Sequence, residues 1–133
     1  MNEVSPRIVE QRVRNRVIEY LRLAGSFELQ DRYAQAVPNV NVPYEVINQW
    51  EDWGHINVHA DPDFSPVYSS QELEAMKQFH VVWDRAADAL PDGYPSMSDA
   101  QAIPEWSTLR DEARAATAVF NVRGRMSEER EVE

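Results

Sequence analysis

The sequence contains no cysteine, one lysine and four glycines in 133 residues. The absence of cysteine excludes a disulfide framework, a thiolate metal site and a cysteine nucleophile. With so few glycines, the sequence also lacks a phosphate-binding glycine loop, a nucleotide fingerprint and a nucleophile elbow. Its uninterrupted apolar runs are a few residues long, which is too short for a membrane span or a secretory apolar region. We therefore expect a soluble cytoplasmic protein without a cofactor, and the sequence favours a non-enzymatic function.

Positive charge is also scarce. The chain has 13 Lys and Arg against 23 Asp and Glu, which gives a formal net charge of −10. No Lys or Arg occurs from Tyr33 to Met76, and this cation-free segment would repel nucleic acids and anionic membranes. We expect a basic partner protein instead, although the excess charge could serve solubility alone. The segment has seven acidic residues: Glu45, Glu51, Asp52, Asp61, Asp63, Glu72 and Glu74.

Apolar residues at helical spacing predict a first helix near the N-terminus. Ser5 and Pro6 form its start signal, and Gly25 marks its end. The apolar stripe places the arginines of this helix, including Arg14, on the other faces. The stripe consists of Val9, Val13, Val17, Tyr20, Leu21 and Ala24.

Two shorter helices follow. Ser26 can cap a second helix that runs to Pro38, although residues 6–37 could instead be one long helix kinked at the glycine. We favour two helices. Pro43 then opens a third, acidic helix that ends near Gly54.

The second half of the chain predicts two further helices. Ser69 and Glu72 form a capping box, and a proline-bounded loop over 91–103 separates this fourth helix from a fifth that begins at Pro104 and ends near Gly124. The apolar stripe of the fourth helix is Leu73, Met76, Phe79, Trp83, Ala86, Ala87 and Leu90. The stripe of the fifth is Trp106, Leu109, Ala113, Ala116 and Phe120.

These elements predict an all-α fold, a compact bundle of four to five amphipathic helices with an irregular, proline-bounded, acidic central segment. The length suits one domain, which we place at residues 1–126. Residues 127–133 are mostly charged and have almost nothing to pack, so we expect a disordered tail.

The central segment contains the residue types that a divalent metal site uses. His55, His59, Asp61 and Asp63 lie within nine residues. In an extended segment, however, the two histidines would be roughly 13 Å apart, too far to share one ion. Pro62 argues against the helical turn that would bring them together. These four residues are weak metal candidates, and a solvated acidic loop is the favoured interpretation.

A third histidine, His80, lies at the edge of the apolar stripe of the fourth helix. Histidine can act as an acid or base near neutral pH when a carboxylate is close. A partly buried histidine with a hydrogen-bonded partner is the favoured alternative. No catalytic residues are predicted.

The third helix combines aromatic and acidic residues. Trp50 and Trp53 share one face, whereas Glu51 and Asp52 lie near the negative C-terminal end, where acidic groups cost about 0.3–1 kcal/mol each. Such a helix is suited to a basic partner, with aromatic rings as anchors and carboxylates for steering. Alternatively, the tryptophans are core anchors and the acids face water. The predicted partner-binding residues are Tyr44, Glu45, Glu51, Asp52, Asp61 and Asp63.

In size, acidity and lack of cysteine or catalytic motifs, the chain is similar to bacterial immunity proteins, which neutralise nuclease-type toxins. The resemblance is one of general properties and no sequence motif carries it. It implies a toxin inhibitor that binds a basic protein. The alternative functions are a metal-dependent enzyme or metal-binding protein that uses the His55–Asp63 segment, and a homo-oligomeric helical scaffold.

Overall fold

The computed structural model describes residues 4–53, 66–93 and 95–132, and within these ranges the fold is all-α. The predicted fold class is confirmed, with one helix more than expected. Within the same ranges, no helix is long and apolar enough to cross a membrane. The helices are α1 (Pro6–Ala24), α2 (Phe27–Ala36), α3 (Val42–Trp53), α4 (Ser70–Ala89), α5 (Met97–Ala102) and α6 (Pro104–Asn121).

Serine caps define where most of the helices begin. Ser5, Ser26 and Ser69 each accept a hydrogen bond from a backbone N–H in the first turn, as the sequence predicts. The backbone N–H of Gly25 donates to the carbonyl of Leu21 and ends α1. Helix α2 begins two residues later. The two-helix interpretation of residues 6–37 is therefore confirmed.

Helices α1 and α6 run antiparallel. Arg14, near the middle of α1, donates to the carbonyl of Gly124 just after α6. Arg114, near the middle of α6, donates to the carbonyl of Gly25 just after α1. Helix α6 also packs along α4. This arrangement places the C-terminal end of α6 beside the N-terminal half of α1.

An aromatic cluster joins α3 to α1 and α4. The Tyr20 hydroxyl donates to the carbonyl of Val46 at 2.7 Å, and the Trp83 indole donates to the carbonyl of Ile47 at 2.9 Å. Tyr20 and Phe79 also meet edge to face, with centroids 5.9 Å apart. Buried rings and their polar groups thus fix the position of α3 on the bundle.

The predicted apolar stripes of the last two long helices form the core. Every predicted stripe position in α6 is buried, and in α4 all are buried except the half-buried Ala87. The spacing of apolar residues is sufficient to predict these faces because each one packs against other apolar residues.

The N-terminal half of α1 differs from the prediction. Val9, placed on the apolar stripe, is 48% exposed, whereas Arg14, placed on the outer faces, is 0% exposed. Gln11 and Asn15 are fully buried as well. Polar side chains line this face because its neighbours are ionised and main-chain groups, which apolar periodicity does not detect.

Two further segments differ from the sequence expectation. Helix α5 lies in the predicted loop over 91–103, with Ser96 as its N-cap and few buried residues to signal it. The expected disordered tail, residues 127–133, is described up to residue 132, and these residues lie along α1 through hydrogen bonds. Most of the predicted irregular central segment, residues 54–65, lies outside the described residues.

We predict that Ser69→Ala lowers the free energy of unfolding by about 1 kcal/mol, because Ser69 caps α4 by accepting the N–H of Glu72 at 3.1 Å. Ser70→Ala is the matched control, since Ser70 is exposed and alanine is a good helix former. Urea denaturation of the two variants measures the difference. Equal stability of both variants would contradict the capping interpretation.

Candidate functional site

The predicted partner-binding site centres on α3. Asn41 caps this helix by accepting the backbone N–H of Tyr44 at 3.1 Å. Glu45 is half-buried and accepts a hydrogen bond from the Gln49 side chain. The two acids near the C-terminal end are exposed, and within the described part of the chain neither forms an ion pair. These two are Glu51 and Asp52.

The tryptophan of this site belongs to the core. Trp50 is 0% exposed, its ring meets Phe79 edge to face at 4.7 Å, and its indole N–H donates to His80 Nδ1 at 3.0 Å. Trp50 is therefore a core anchor, and it cannot contact a partner directly. Tyr44 is half-buried and packs against the edge of the core. The side chain of Trp53 lies outside the described residues.

His80 has the structural role that the sequence favours. It is half-buried, its Nδ1 accepts the Trp50 hydrogen bond, and its ring stacks on Trp83 with centroids 5.2 Å apart. Because Nδ1 acts as an acceptor, the neutral imidazole carries its proton on Nε2. The hydrogen bond from Trp50 joins α3 to α4, whereas the stack on Trp83 lies within α4.

Glu72 does not belong to an exposed acidic surface. Its carboxylate is 1% exposed and lies between two guanidinium groups. Arg14 donates to Oε2 at 2.8 Å and to Oε1 at 3.2 Å, and Arg123 donates to Oε1 at 2.6 Å and to Oε2 at 3.1 Å. The cation-free segment therefore does not present all seven of its acids to solvent, because arginines from both flanks neutralise Glu72.

The environment of Glu72 lowers its pKa. Burial by itself raises the pKa of this carboxyl, but the hydrogen bonds from Arg123 and Arg14, with that from the Ser69 backbone, outweigh it and bring the pKa below 4.5. Glu72 is therefore ionised in the folded protein at neutral pH. No pattern in the sequence separates this acid from its neighbours, except that it occupies the N3 position of the capping box that begins at Ser69.

The weak metal candidates His55, His59, Asp61 and Asp63 lie outside the described residues, so the metal hypothesis stays a prediction. The same holds for Asp61 and Asp63 as partner contacts. Among the residues that are described, no group of three or more histidines and carboxylates could hold a metal ion.

A cleft of about 520 Å³ lies on the α1–α2 side of the molecule, and the sequence did not indicate it. Its lining combines apolar side chains with arginines, which include Arg16, Arg22 and Arg32. Arg16 pairs with Glu19, and Arg32 pairs with Glu28, one turn earlier in α2. Among the described residues, the one acid that lines this cleft, Glu19, is already paired with Arg16 and Arg125, so the α3 carboxylates remain the candidate site for a basic partner.

No protein-family model, curated protein or solved structure matches the chain. The functional argument therefore depends on the residues themselves: an all-α protein with uncompensated carboxylates on a helix that buried rings hold in place.

We predict that Glu72→Gln lowers the free energy of unfolding at pH 7 by about 3–5 kcal/mol, because it leaves the buried Arg14 without its counter-ion. Glu74→Gln is the control, since Glu74 is exposed and contacts the neutral Gln78. Urea denaturation at pH 7 measures both. A loss at Glu72 no larger than that at Glu74 would contradict the assigned role of the buried pair.

We also predict how the stability of the wild type and of Glu72→Gln depends on pH. Because the pKa of Glu72 is lower in the folded than in the unfolded protein, its stabilisation is complete above about pH 4.5 and is lost as the pH falls through the folded value. The unfolding midpoint of the wild type should therefore fall more steeply below pH 4.5 than that of Glu72→Gln. Glu19, whose pKa is also lowered, contributes equally to both proteins.

Proposed function

We propose that this protein is a small acidic protein-binding module that neutralises or regulates a basic partner, as a toxin inhibitor of the immunity-protein kind does. The observation that carries the proposal is the exposure of Glu51 and Asp52 at the end of α3, with no ion pair to either in the described part of the chain. Side chains of this type bind arginine through paired, charge-assisted hydrogen bonds.

The use of arginine within the protein supports the proposal. Within the described residues, nine arginines donate to carboxylates or carbonyls of the chain itself, some of them in exposed surface pairs such as Arg32 with Glu28. With 13 basic against 23 acidic residues, the chain cannot pair every carboxylate, and Glu51 and Asp52 are among those that are exposed without an ion pair in the described part of the chain. Such a surface attracts a basic protein over long distances and speeds its association. The nine are Arg7, Arg12, Arg14, Arg16, Arg32, Arg110, Arg114, Arg123 and Arg125.

The attachment of α3 also favours binding. Val46 and Trp50 are fully buried, and the main chain of α3 accepts hydrogen bonds from Tyr20 and Trp83. The acids that follow Trp50 are therefore held on a rigid helix. Rigid placement of binding groups lowers the entropy that association would otherwise cost.

We predict that the double variant Glu51→Lys/Asp52→Lys weakens binding to a basic partner at least tenfold, the equivalent of about 1.4 kcal/mol. The control is Asp88→Lys/Glu105→Lys, which changes the net charge equally at two exposed acids outside the cation-free segment. Isothermal titration at two salt concentrations compares the two variants, first with a synthetic arginine-rich peptide and then with a partner cross-linked and identified in the native host.

Binding by the control should remain within about twofold of the wild type. If both variants lose affinity equally, net charge alone governs the interaction, and the assignment to α3 is wrong. If neither loses affinity, the proposed function is wrong.

A further inference from the structure

Residues 126–132 are held on α1 by an arrangement of side chains that recognises the peptide main chain. The Asn15 amide donates to the carbonyl of Met126 and accepts its N–H, both at 2.9 Å. The Gln11 amide donates to the carbonyls of Ser127 and Arg130 at 2.8 and 2.7 Å, and it accepts the N–H of Val132 at 2.8 Å. Each amide thus satisfies both donors and acceptors of the bound segment.

The side chains that make these hydrogen bonds lie close together on α1. Gln11 and Asn15 lie one helical turn apart and are both 0% exposed. Between them, Arg12 donates twice to the carbonyl of Glu128, at 3.0 and 2.8 Å. We call these three residues the α1 amide face. Since its hydrogen bonds go mostly to main-chain groups, this face can accept segments that differ in side chains.

One acidic side chain of the segment is also recognised. The Glu128 carboxylate accepts a hydrogen bond from Asn15 at 2.9 Å and lies near Arg16 and Arg125 at 3.5 and 3.4 Å. The neighbouring Glu129 is exposed, and its carboxylate forms no ion pair in the described part of the chain. An acid is therefore required at one position and is optional at the next.

Apolar contacts at both ends complete the pattern. Met126 and Val132 are half-buried against the edge of the core, whereas Ser127, Arg130 and Glu131 are exposed. The bound segment thus reads as an apolar residue, an acid two positions later and a second apolar residue four positions after that. Little apolar area holds it in place, which makes the segment exchangeable.

We propose that the α1 amide face is a binding site for acidic, non-helical peptide segments, and that residues 126–132 occupy it as an intramolecular ligand. The partner is a protein segment with the same apolar-acid-apolar spacing. The arginines of this part of α1, Arg7, Arg12 and Arg16, complement its charge. This site is separate from the carboxylates of α3. Its ligand is acidic, whereas the partner proposed for α3 is basic.

The test uses full-length protein and a fluorescent peptide of residues 125–133. Glu128→Lys weakens the intramolecular ligand and leaves the α1 amide face intact. In the wild type, residues 126–132 compete with the added peptide, so the apparent affinity for the peptide is reduced in proportion to the fraction of molecules whose site is free. The Glu128→Lys variant should therefore bind the peptide at least tenfold more tightly than the wild type. Glu129→Lys, which has the same change of charge one residue away, should bind like the wild type.

Site variants complete the experiment. Adding Arg12→Ala or Gln11→Ala to Glu128→Lys should reduce peptide binding at least tenfold, and a peptide with lysine at the Glu128 position should bind more weakly than the parent. Arg12 is half-buried, so its replacement keeps the test valid if Gln11→Ala does not fold. Circular dichroism checks folding.

Three outcomes would overturn the proposal: no binding of the peptide to Glu128→Lys at millimolar concentration, equal binding to wild type, Glu128→Lys and Glu129→Lys, or binding that is insensitive to Arg12→Ala. Failure of the proposed function leaves this result unaffected, because Glu51→Lys/Asp52→Lys does not alter the α1 amide face.

Discussion

The ion cluster of Arg14, Glu72 and Arg123 is the interaction on which the rest of the fold depends. It joins the middle of α1, the first turn of α4 and the segment after α6, and it includes carbonyls of Pro66 and Val67 as acceptors for Arg123. Burial of the charged Arg14 and Glu72 is costly, and the cost is offset only when every partner, including the partly exposed Arg123, is in place. The cluster therefore specifies one relative position of these elements, much as a polar residue fixes the register of a coiled coil.

This use of arginine determines the character of the surface. Arginines that donate to the chain's own carboxylates and carbonyls hold the C-terminal half to α1, as Arg14, Arg114 and Arg125 do. Because acids outnumber bases by 23 to 13, pairing within the chain leaves carboxylates uncompensated at the surface. The arginines that attach the C-terminal segment are therefore already engaged and do not balance those carboxylates.

The sequence predicts the parts of this fold that depend on apolar contacts. The stripes of α4 and α6, the serine caps and the separation of α1 from α2 follow from spacing and cap chemistry. The sequence does not predict the burial of Arg14 or the recruitment of Glu72, because both depend on partners more than 50 residues away. At the candidate site, the exposure of Glu51 and Asp52 was predictable, whereas the burial of Trp50 was one of two open alternatives.

The composition of the α1 amide face supports its role in exchangeable binding. Apolar side chains in place of Gln11 and Asn15 would leave the main-chain groups of Met126 and Val132 without partners, at a cost of about 1–3 kcal/mol for each buried group. The amides satisfy those groups, and they also tolerate water when the segment leaves, because water replaces each hydrogen bond. An apolar face would lose its stabilisation on exposure to solvent. A polar face whose two amides are covered by the segment is therefore suited to being uncovered and occupied again.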